Sequence, residues 1–142
     1  MSLWKKNTDL VALNALSADT LIAHLGIEYT HIGDDFLTGT MPVDSRTHQP
    51  YGLLHGGASV VLAETLGSVA ANLAVAEDKV CVGLEVNANH VRSIKKGTVT
   101  GTATALHIGY STQVWQINIC NEREQLICTS RLTVAVIDKP TE

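Results

Sequence analysis

One carboxylate, Glu64, stands in a stretch that is almost wholly small and apolar from Ala58 to Val75. A charged side chain inside an apolar helix costs on the order of several kcal/mol unless it is paired or hydrated. Because Gln or Ala would pack there at lower cost, the carboxylate indicates chemistry, as a nucleophile or a general base. Ser68 and Asn72 follow on the same helical stripe, and each alone is explained by bonding back to the preceding turn. We expect Glu64 to be buried.

A pair of glycines, Gly56 and Gly57, precedes the apolar stretch in the segment "LLHGGAS". Their N–H groups fall at the predicted start of a helix, where backbone donors are unpaired and the helix dipole is positive, an arrangement that suits a developing oxyanion. Gln49 and His55 flank this point, and either could orient a carbonyl or a water. Eight residues place Glu64 about 12 Å from Gly56 along the helix. One chain therefore cannot apply both groups to one carbonyl, and we expect an antiparallel dimer with two composite sites.

Other nucleophile and metal patterns are weak. Ser59 does not belong to a nucleophile elbow, because Val61 occupies the position of the second glycine. His48 is expected to face solvent, and a metal site built from His48 and His55 lacks a third nearby ligand other than Asp44. No metal and no cofactor are expected.

A cationic cluster closes the segment "NANHVRSIKKG", with His90, Arg92, Lys95 and Lys96 close together in an acidic protein. An ordinary solvated turn would explain such a cluster. Beside a helix-mounted carboxylate it also suits a grip on a phosphate-bearing ligand.

The composition predicts one globular domain spanning residues 1–142. Hydrophobic residues make up 45% of the chain and charged residues 17%, and the net charge of −4 argues against a nucleic-acid-binding protein. No apolar run reaches membrane-spanning length, and no apolar segment typical of a secretory signal follows "MSLWKKNTDL". Three cysteines in β-branched runs predict reduced, buried thiols and, by default, a cytoplasmic protein: Cys81, Cys120 and Cys128.

Hydrophobic periodicity predicts an α+β fold. Two short helices come first, with Thr8 or Asp9 capping one and Ser17 or Asp19 the other. A hairpin of "IEYTHI" and "FLTGTMPV" follows, and then a long helix over about 57–74. Four further strands with short connections predict an antiparallel meander, about six strands in all. The long helix is apolar nearly all round, so a curved sheet and a second copy of the chain are expected to cover it.

Three blocks of the chain resemble the hotdog-fold acyl-CoA thioesterases: "MPVDSRTHQPYGLLHGGASVVLAETLGSVA", "VGLEVNANHVRS" and "QVWQI". The similarity runs from about Leu3 to Ile137, and the block from Gln49 to Ser68 is its most specific part. The resemblance implies a long central helix wrapped by a curved antiparallel sheet. It further implies a homo-oligomer, in which two dimers form a homotetramer. The implied substrate is an acyl-CoA or an acylated carrier protein, and neither nucleic acid nor a membrane is an implied partner.

The resemblance also assigns roles to matching positions. Glu64 matches the catalytic carboxylate and Gly56 the oxyanion donor, while Gln49 and His55 assist at the thioester and Ser68 supports the water or the substrate. Coenzyme A contacts are assigned to three places: Gly83; His90, Val91, Arg92 and Ser93; and the turn of His107, Ile108, Gly109, Tyr110, Ser111 and Thr112. Tyr110 departs from the basic residue that is frequent near this turn in the family.

Within the family the chain is most similar to enzymes that hydrolyse 1,4-dihydroxy-2-naphthoyl-CoA in menaquinone synthesis. Val69 after Ser68 favours these over the enterobactin-type proofreading enzymes, which tend to carry Met there. Hydrolysis of an aromatic acyl-CoA is therefore the predicted function. Two alternatives stay open, a proofreading thioesterase for misacylated aryl carrier protein and a non-catalytic acyl-CoA-binding domain. A hotdog hydratase needs a different His/Asp arrangement, for which the sequence has no matching motif.

Overall fold

The protein folds as one antiparallel sheet with a long helix packed against it. The computed structural model describes residues 1–141, which hold three α-helices and six strands. In chain order these are α1 (Leu10–Leu16), α2 (Leu21–His24), β1 (Glu28–Ile32), β2 (Phe36–Val43), α3 (Gly56–Leu73), β3 (Lys79–His90), β4 (Gly97–Ile108), β5 (Thr112–Cys120) and β6 (Leu126–Asp138). The predicted α+β class and the long helix are confirmed, the helix to within one residue at each end.

The core lies between α3 and the sheet. Leu62 and Leu66 of α3 are fully buried, and so are Trp115 and Ile117 of β5. Inward residues of β5 alternate with partly exposed ones, as expected for a strand with one face on a core. The indole of Trp4 stacks on Trp115 from the N-terminal segment, with ring centroids 6.2 Å apart.

Strand β3 lies elsewhere than the meander prediction placed it. The strand order is β1-β2-β4-β5-β6-β3, so β3 pairs with β6 at the edge of the sheet and not with β4, which follows it in the chain. Two strands separate β3 from β4, a distance of about 14 Å at normal strand spacing. The extended connection 91–96 is long enough to cross it, since six residues span up to about 20 Å. The prediction of consecutive pairing is confirmed for β4, β5 and β6. It was wrong for β3, because a short connection was equated with adjacency.

The short helices begin at residues that cap them. Asp9 accepts a hydrogen bond from the Ala12 N–H, which selects Asp9 from the two predicted caps of α1. Thr20 caps α2 by accepting from the Ile22 N–H, so the prediction of Ser17 or Asp19 for this cap was wrong.

Asn72 joins α3 to the edge strand. Its Oδ1 accepts from the Cys81 N–H at 2.8 Å and its Nδ2 donates to the Ser68 carbonyl at 2.9 Å. Asn72 is therefore a structural residue, as its position alone suggested. Burial raises the pKa of the Cys81 and Cys128 thiols. All three cysteines are free, and Cys128 is buried while Cys81 and Cys120 are partly exposed.

One face of α3 is left open in the single chain. Glu64 is exposed, so the expectation of a buried carboxylate is wrong for the isolated chain. Val60 and Val61 beside it are only half-buried. Apolar residues of β3 are also uncovered, with Val82 44% and Leu84 60% exposed. Among residues 1–141, no helix has the length and hydropathy needed to cross a bilayer.

Candidate active site

The loop before α3 holds Gln49 in a fixed position. The Thr47 hydroxyl donates to the Pro42 carbonyl at 2.8 Å, and the Thr47 carbonyl accepts from the His55 N–H. The Gln49 Oε1 accepts from the N–H groups of Tyr51 and Leu53. Its Nε2 has no partner within the described part of the chain and remains a free donor.

The start of α3 presents one free backbone donor, not two. His55 is the N-cap, and its Nδ1 accepts the Gly57 N–H at 2.8 Å. The Gly57 N–H is therefore occupied, and the expectation that it would serve an oxyanion is wrong. The Gly56 N–H has no acceptor among residues 1–141. Because His55 Nδ1 accepts, the proton of the neutral ring lies on Nε2, which leaves His55 a side-chain donor as well.

A cavity of about 410 Å³ opens at this helix start. It is lined by Gln49, Leu53, Leu54, Gly56, Ser59, His90, Val91, Arg92, Ser93 and Ile127. The fold thus brings Gln49 and Gly56 together with the four predicted coenzyme A contacts 90–93.

Close packing and backbone bonds fix the geometry of this cavity. A Cβ added at Gly56 would lie 2.9 Å from His90 Nε2, so the imidazole stands directly over the helix start. The Ile127 carbonyl accepts from the Val91 N–H at 2.9 Å. This bond holds the cationic segment, residues 90–96, against β6. Arg92 is exposed and takes part in no ion pair within the described residues.

Sequence reasoning missed several lining residues. Leu53 and Leu54 lie beside the glycine pair, and their apolar side chains next to it were a usable signal. Ile127 carries no local signal, because only the pairing of β3 with β6 brings it to the cavity. His48 was expected to face solvent, yet its Nε2 lies 2.7 Å from the Lys95 carbonyl and ties the loop to the cationic segment.

Glu64 lies outside the cavity at Gly56. It borders a second groove of about 350 Å³, lined by Leu21 and Ile22 of α2 and by Val61, Glu64, Thr65, Ser68 and Val69 of α3. A Cβ added at Gly83 would lie 3.2 Å from Glu64 Oε2, so the carboxylate reaches the middle of β3. The predicted catalytic residues therefore fall into two groups in one chain. Gln49, His55 and Gly56 form one, and Glu64 and Ser68 form the other.

The predicted coenzyme A contacts are divided in the same way. The turn 107–112 joins β4 to β5, and Thr112 pairs with Ala135, whose other neighbour is Val82 on β3. The turn is therefore level with Gly83. His90 lies seven residues farther along β3, about 23 Å away at normal strand rise. One chain alone does not bring the turn to the cationic segment.

Asp44, the third ligand considered for a metal site at His48 and His55, is engaged by Arg46. The Arg46 guanidinium donates to the Asp44 carboxylate and lowers the pKa of that carboxyl to about 2. No group of three His, Cys, Asp or Glu side chains placed to hold a metal ion occurs in the part of the chain that the structure describes.

Known proteins share this architecture. A model of the thioesterase superfamily matches residues 51–128. A 1,4-dihydroxy-2-naphthoyl-CoA hydrolase of Escherichia coli is 55% identical over 135 residues, covering 95% of this chain and 99% of the relative. A proofreading thioesterase, EntH of Cronobacter turicensis, is 53% identical, covering 95% and 98%. The crystal structure of a Haemophilus influenzae thioesterase matches with a TM-score of 0.94 at 51% identity, covering 96% of this chain and 95% of that one. This chain therefore belongs to the thioesterase superfamily and has its hotdog fold.

Proposed function

We propose that the protein hydrolyses an aromatic acyl-CoA thioester, with 1,4-dihydroxy-2-naphthoyl-CoA as the first candidate and menaquinone synthesis as its setting. The observation that carries this proposal is the free Gly56 N–H at the start of α3, in a cavity that also holds Gln49 and Arg92. The 55% identity to the Escherichia coli hydrolase supports the choice of acyl group. Three free cysteines are consistent with the reducing cytoplasm, where we place the protein.

The thioester carbonyl is held by neutral donors. The Gly56 N–H points along the helix axis from the positive end of the dipole, Gln49 lines the same cavity, and His55 directly precedes Gly56 as the N-cap. These donors stabilise the oxygen as it gains negative charge during attack on the carbonyl carbon. The tetrahedral intermediate then collapses, the C–S bond breaks, and the coenzyme A thiolate leaves and takes up a proton.

Glu64 supplies the attack in one of two balanced ways. As a general base it takes a proton from water, which adds to the carbonyl carbon, and later returns that proton to the leaving thiolate. As a nucleophile it adds directly, expels the thiolate and forms an anhydride that water then hydrolyses. Ser68, one turn along the helix, borders the same groove and is placed to bind the water or the substrate.

The coenzyme A moiety lies against the cationic segment in this proposal. Arg92 is exposed and free of ion pairs among residues 1–141, so its guanidinium is available to a phosphate. His90 and Ser93 line the cavity beside it. Gly83 and the turn 107–112 would contact coenzyme A from the other subunit of a dimer.

A dimer completes the site because Glu64 and Gly56 each lie beside a different residue of β3. Gly83 lies beside Glu64, since a Cβ added at Gly83 would lie 3.2 Å from Glu64 Oε2. His90 lies beside Gly56, since a Cβ added at Gly56 would lie 2.9 Å from His90 Nε2. If the free edge of β3 pairs antiparallel with the same strand of a second chain, centred near Val86, the partner's Gly83 comes level with this chain's His90. The Glu64 of that copy then lies beside this chain's Gly56. The exposed apolar face of β3 and the open face of α3 support such an interface.

The decisive experiment is a thioester panel compared by kcat/KM. It contains 1,4-dihydroxy-2-naphthoyl-CoA, benzoyl-CoA, a long-chain fatty acyl-CoA and an acylated aryl carrier protein. We expect the naphthoyl thioester to lead, and Glu64→Gln to lower kcat at least about 100-fold with little change in KM. Binding of acyl-CoA without turnover would instead identify a binding domain.

Single turnover in oxygen-18 water separates the two roles of Glu64. A general base delivers the label directly into the acid product. An anhydride opened at the Glu64 carbonyl leaves the label in the enzyme and an unlabelled first product. An anhydride opened at the acyl carbon labels the product, so trapping of the acyl-enzyme with hydroxylamine is the complementary measurement.

Hybrid dimers test the composite site. A purified dimer with Glu64→Gln in one chain and Gly56→Pro in the other keeps one complete site and should retain about half of the wild-type turnover per dimer. Both parental homodimers should retain only about 1% of the wild-type turnover or less. Activity of an isolated monomer would contradict this assembly, as would a hybrid as inactive as its parents.

A proofreading thioesterase is the second candidate, because the Cronobacter enzyme is nearly as similar at 53% identity. Such an enzyme releases a misloaded acyl group from an aryl carrier protein. In the same panel, a carrier-protein thioester with a kcat/KM well above that of the matching acyl-CoA would favour this function.

A further inference from the structure

The cavity at Gly56 has two walls that are far apart in the chain. One is the loop 47–55, which carries Gln49, and the other is the cationic segment, which carries Arg92. In the proposed reaction Gln49 contacts the thioester carbonyl while Arg92 binds coenzyme A. Both contacts form on one substrate only if the walls keep a fixed separation, because a misplacement of about 1 Å can cost about 100-fold in rate.

The loop 47–55 is closed by bonds within itself. His48 and Leu54 form an isolated antiparallel bridge across it. The Gln49 N–H donates to the Leu53 carbonyl at 2.8 Å, and the Gln49 Oε1 accepts from the Leu53 N–H. Gln49 is therefore fixed relative to its own loop, so a contact that positions the loop also positions Gln49.

The cationic segment is joined to this loop by two hydrogen bonds. Residues 91–96 lie outside the helices and strands, so individual contacts set their position. The Leu54 N–H donates to the Ile94 carbonyl at 2.8 Å, and the His48 Nε2 lies 2.7 Å from the Lys95 carbonyl. Because a carbonyl only accepts, the His48 Nε2 carries a proton and donates it to this bond. The His48 side chain thus joins the two walls of the cavity.

We infer that His48 is a positioning residue, whose bond to the Lys95 carbonyl sets the separation between Gln49 and Arg92. This inference rests on the proposed thioesterase function and adds a residue that the function did not use. His48 is half-buried and does not line the cavity, so it acts through Gln49 and Arg92 and not on the substrate.

Two substitutions of His48 test the inference. His48→Leu removes the donor and keeps a side chain of similar size, and it should lower kcat about tenfold and raise KM for acyl-CoA about fivefold. His48→Gln returns an N–H donor at nearly the position of Nε2, and both constants should return to within about twofold of the wild type. If His48→Leu does not fold, His48→Asn takes its place, because its amide is too short to reach the Lys95 carbonyl.

A matched control and a double variant separate positioning from stability. Lys6→Met breaks a bond of the same kind away from the cavity, since the Lys6 Nζ donates to the Lys79 carbonyl at 2.8 Å. Its kcat and KM should stay within about twofold of the wild type, even where its thermal unfolding midpoint falls as far as that of His48→Leu. In an Arg92→Ala background, His48→Leu should change KM by less than about twofold, because the contact through which it acts is already lost.

The outcomes distinguish this inference from the function on which it rests. Loss in His48→Leu, recovery in His48→Gln and a KM effect that disappears without Arg92 support His48 as the positioning residue. Normal wild-type turnover with both His48 variants within about twofold of it would overturn the inference alone, and so would a KM effect that persists in full without Arg92. A wild-type protein that hydrolyses no thioester of the panel would overturn the proposed function and the inference with it.

Discussion

Replacing Gly56 by proline removes one atom group, the backbone N–H that we propose as the oxyanion donor. Gly56 is the first residue of α3, a position where proline is favoured because its N–H is not needed by the helix. His55 before it has φ −68° and ψ 130°, the extended conformation that a residue preceding proline adopts. The helix should therefore form normally in Gly56→Pro.

A matched variant isolates the lost donor from the added bulk. A Cβ at position 56 would lie 2.9 Å from His90 Nε2, so either proline or alanine must displace the imidazole. Gly56→Ala adds this Cβ but keeps the N–H. Removal of one oxyanion donor typically costs about 100- to 1000-fold in kcat, and we expect this ratio between the Ala and Pro variants.

The assay follows release of the free coenzyme A thiol at saturating naphthoyl thioester, with circular dichroism and thermal unfolding as controls for the fold. We expect similar KM values for the two variants, since the donor acts mainly in the transition state. Equal kcat values in well-folded Ala and Pro variants would show that the Gly56 N–H does not stabilise the reacting carbonyl. A Pro variant that fails to fold would refute the assignment of Gly56 as a replaceable first helical residue.

Three further expectations follow from individual contacts. Arg92→Ala should raise KM for acyl-CoA about 10-fold or more with a smaller change in kcat, and the wild-type KM should rise with salt. Unchanged KM values would show that Arg92 is an ordinary solvent-exposed residue that does not bind coenzyme A. Asn72→Ala should lower the free energy of unfolding by about 1–3 kcal/mol in urea titrations, because the Cys81 N–H loses its acceptor, with Asn118→Ala on exposed β5 surface as the comparison. The Asp44 carboxyl, with its pKa lowered to about 2 by Arg46, should contribute stability that is complete above the unfolded pKa of about 3.9 and is lost as the pH falls towards 2. NMR titration of Asp44 should show this midpoint return towards the normal value in Arg46→Met.

Local sequence patterns were sufficient to predict much of the fold and part of the site. The period change after residue 74 and the turn "GDD" located the long helix, the first hairpin and the later strands, because these depend on residues close in sequence. The block around Gly56 likewise announced a helix start with free donors. Capping by His55 could not be read in this way, since it depends on which way one imidazole turns at the N-cap.

The remaining differences arise from long-range placement. β3 pairs with β6 and not with β4, and no local periodicity distinguishes that strand order from a meander. Glu64 is exposed because the sheet covers only part of α3, whereas the sequence shows apolar residues on every side. The position of α2 beside the groove at Glu64 was missed for a related reason. Leu21 lies far from Glu64 in the chain, and only the packing of α2 on α3 places them in one groove.

The pairing of β3 with β6 also bears on the order in which the molecule can be completed. Residues 79–90 leave the ribosome well before residues 126–138, the strand that must hydrogen-bond to them. During that interval β3 lacks β6, the strand that it pairs with, and the hydrogen bond from the Cys81 N–H to Asn72 is one of its ties to α3. Closing such a distant pair is entropically slow, so β3 should be among the last strands to become ordered. The segment from Gly83 to Arg92 would then reach its folded conformation only after β6 has been synthesised. A chain released before that point would expose an unpaired strand edge that is prone to aggregation.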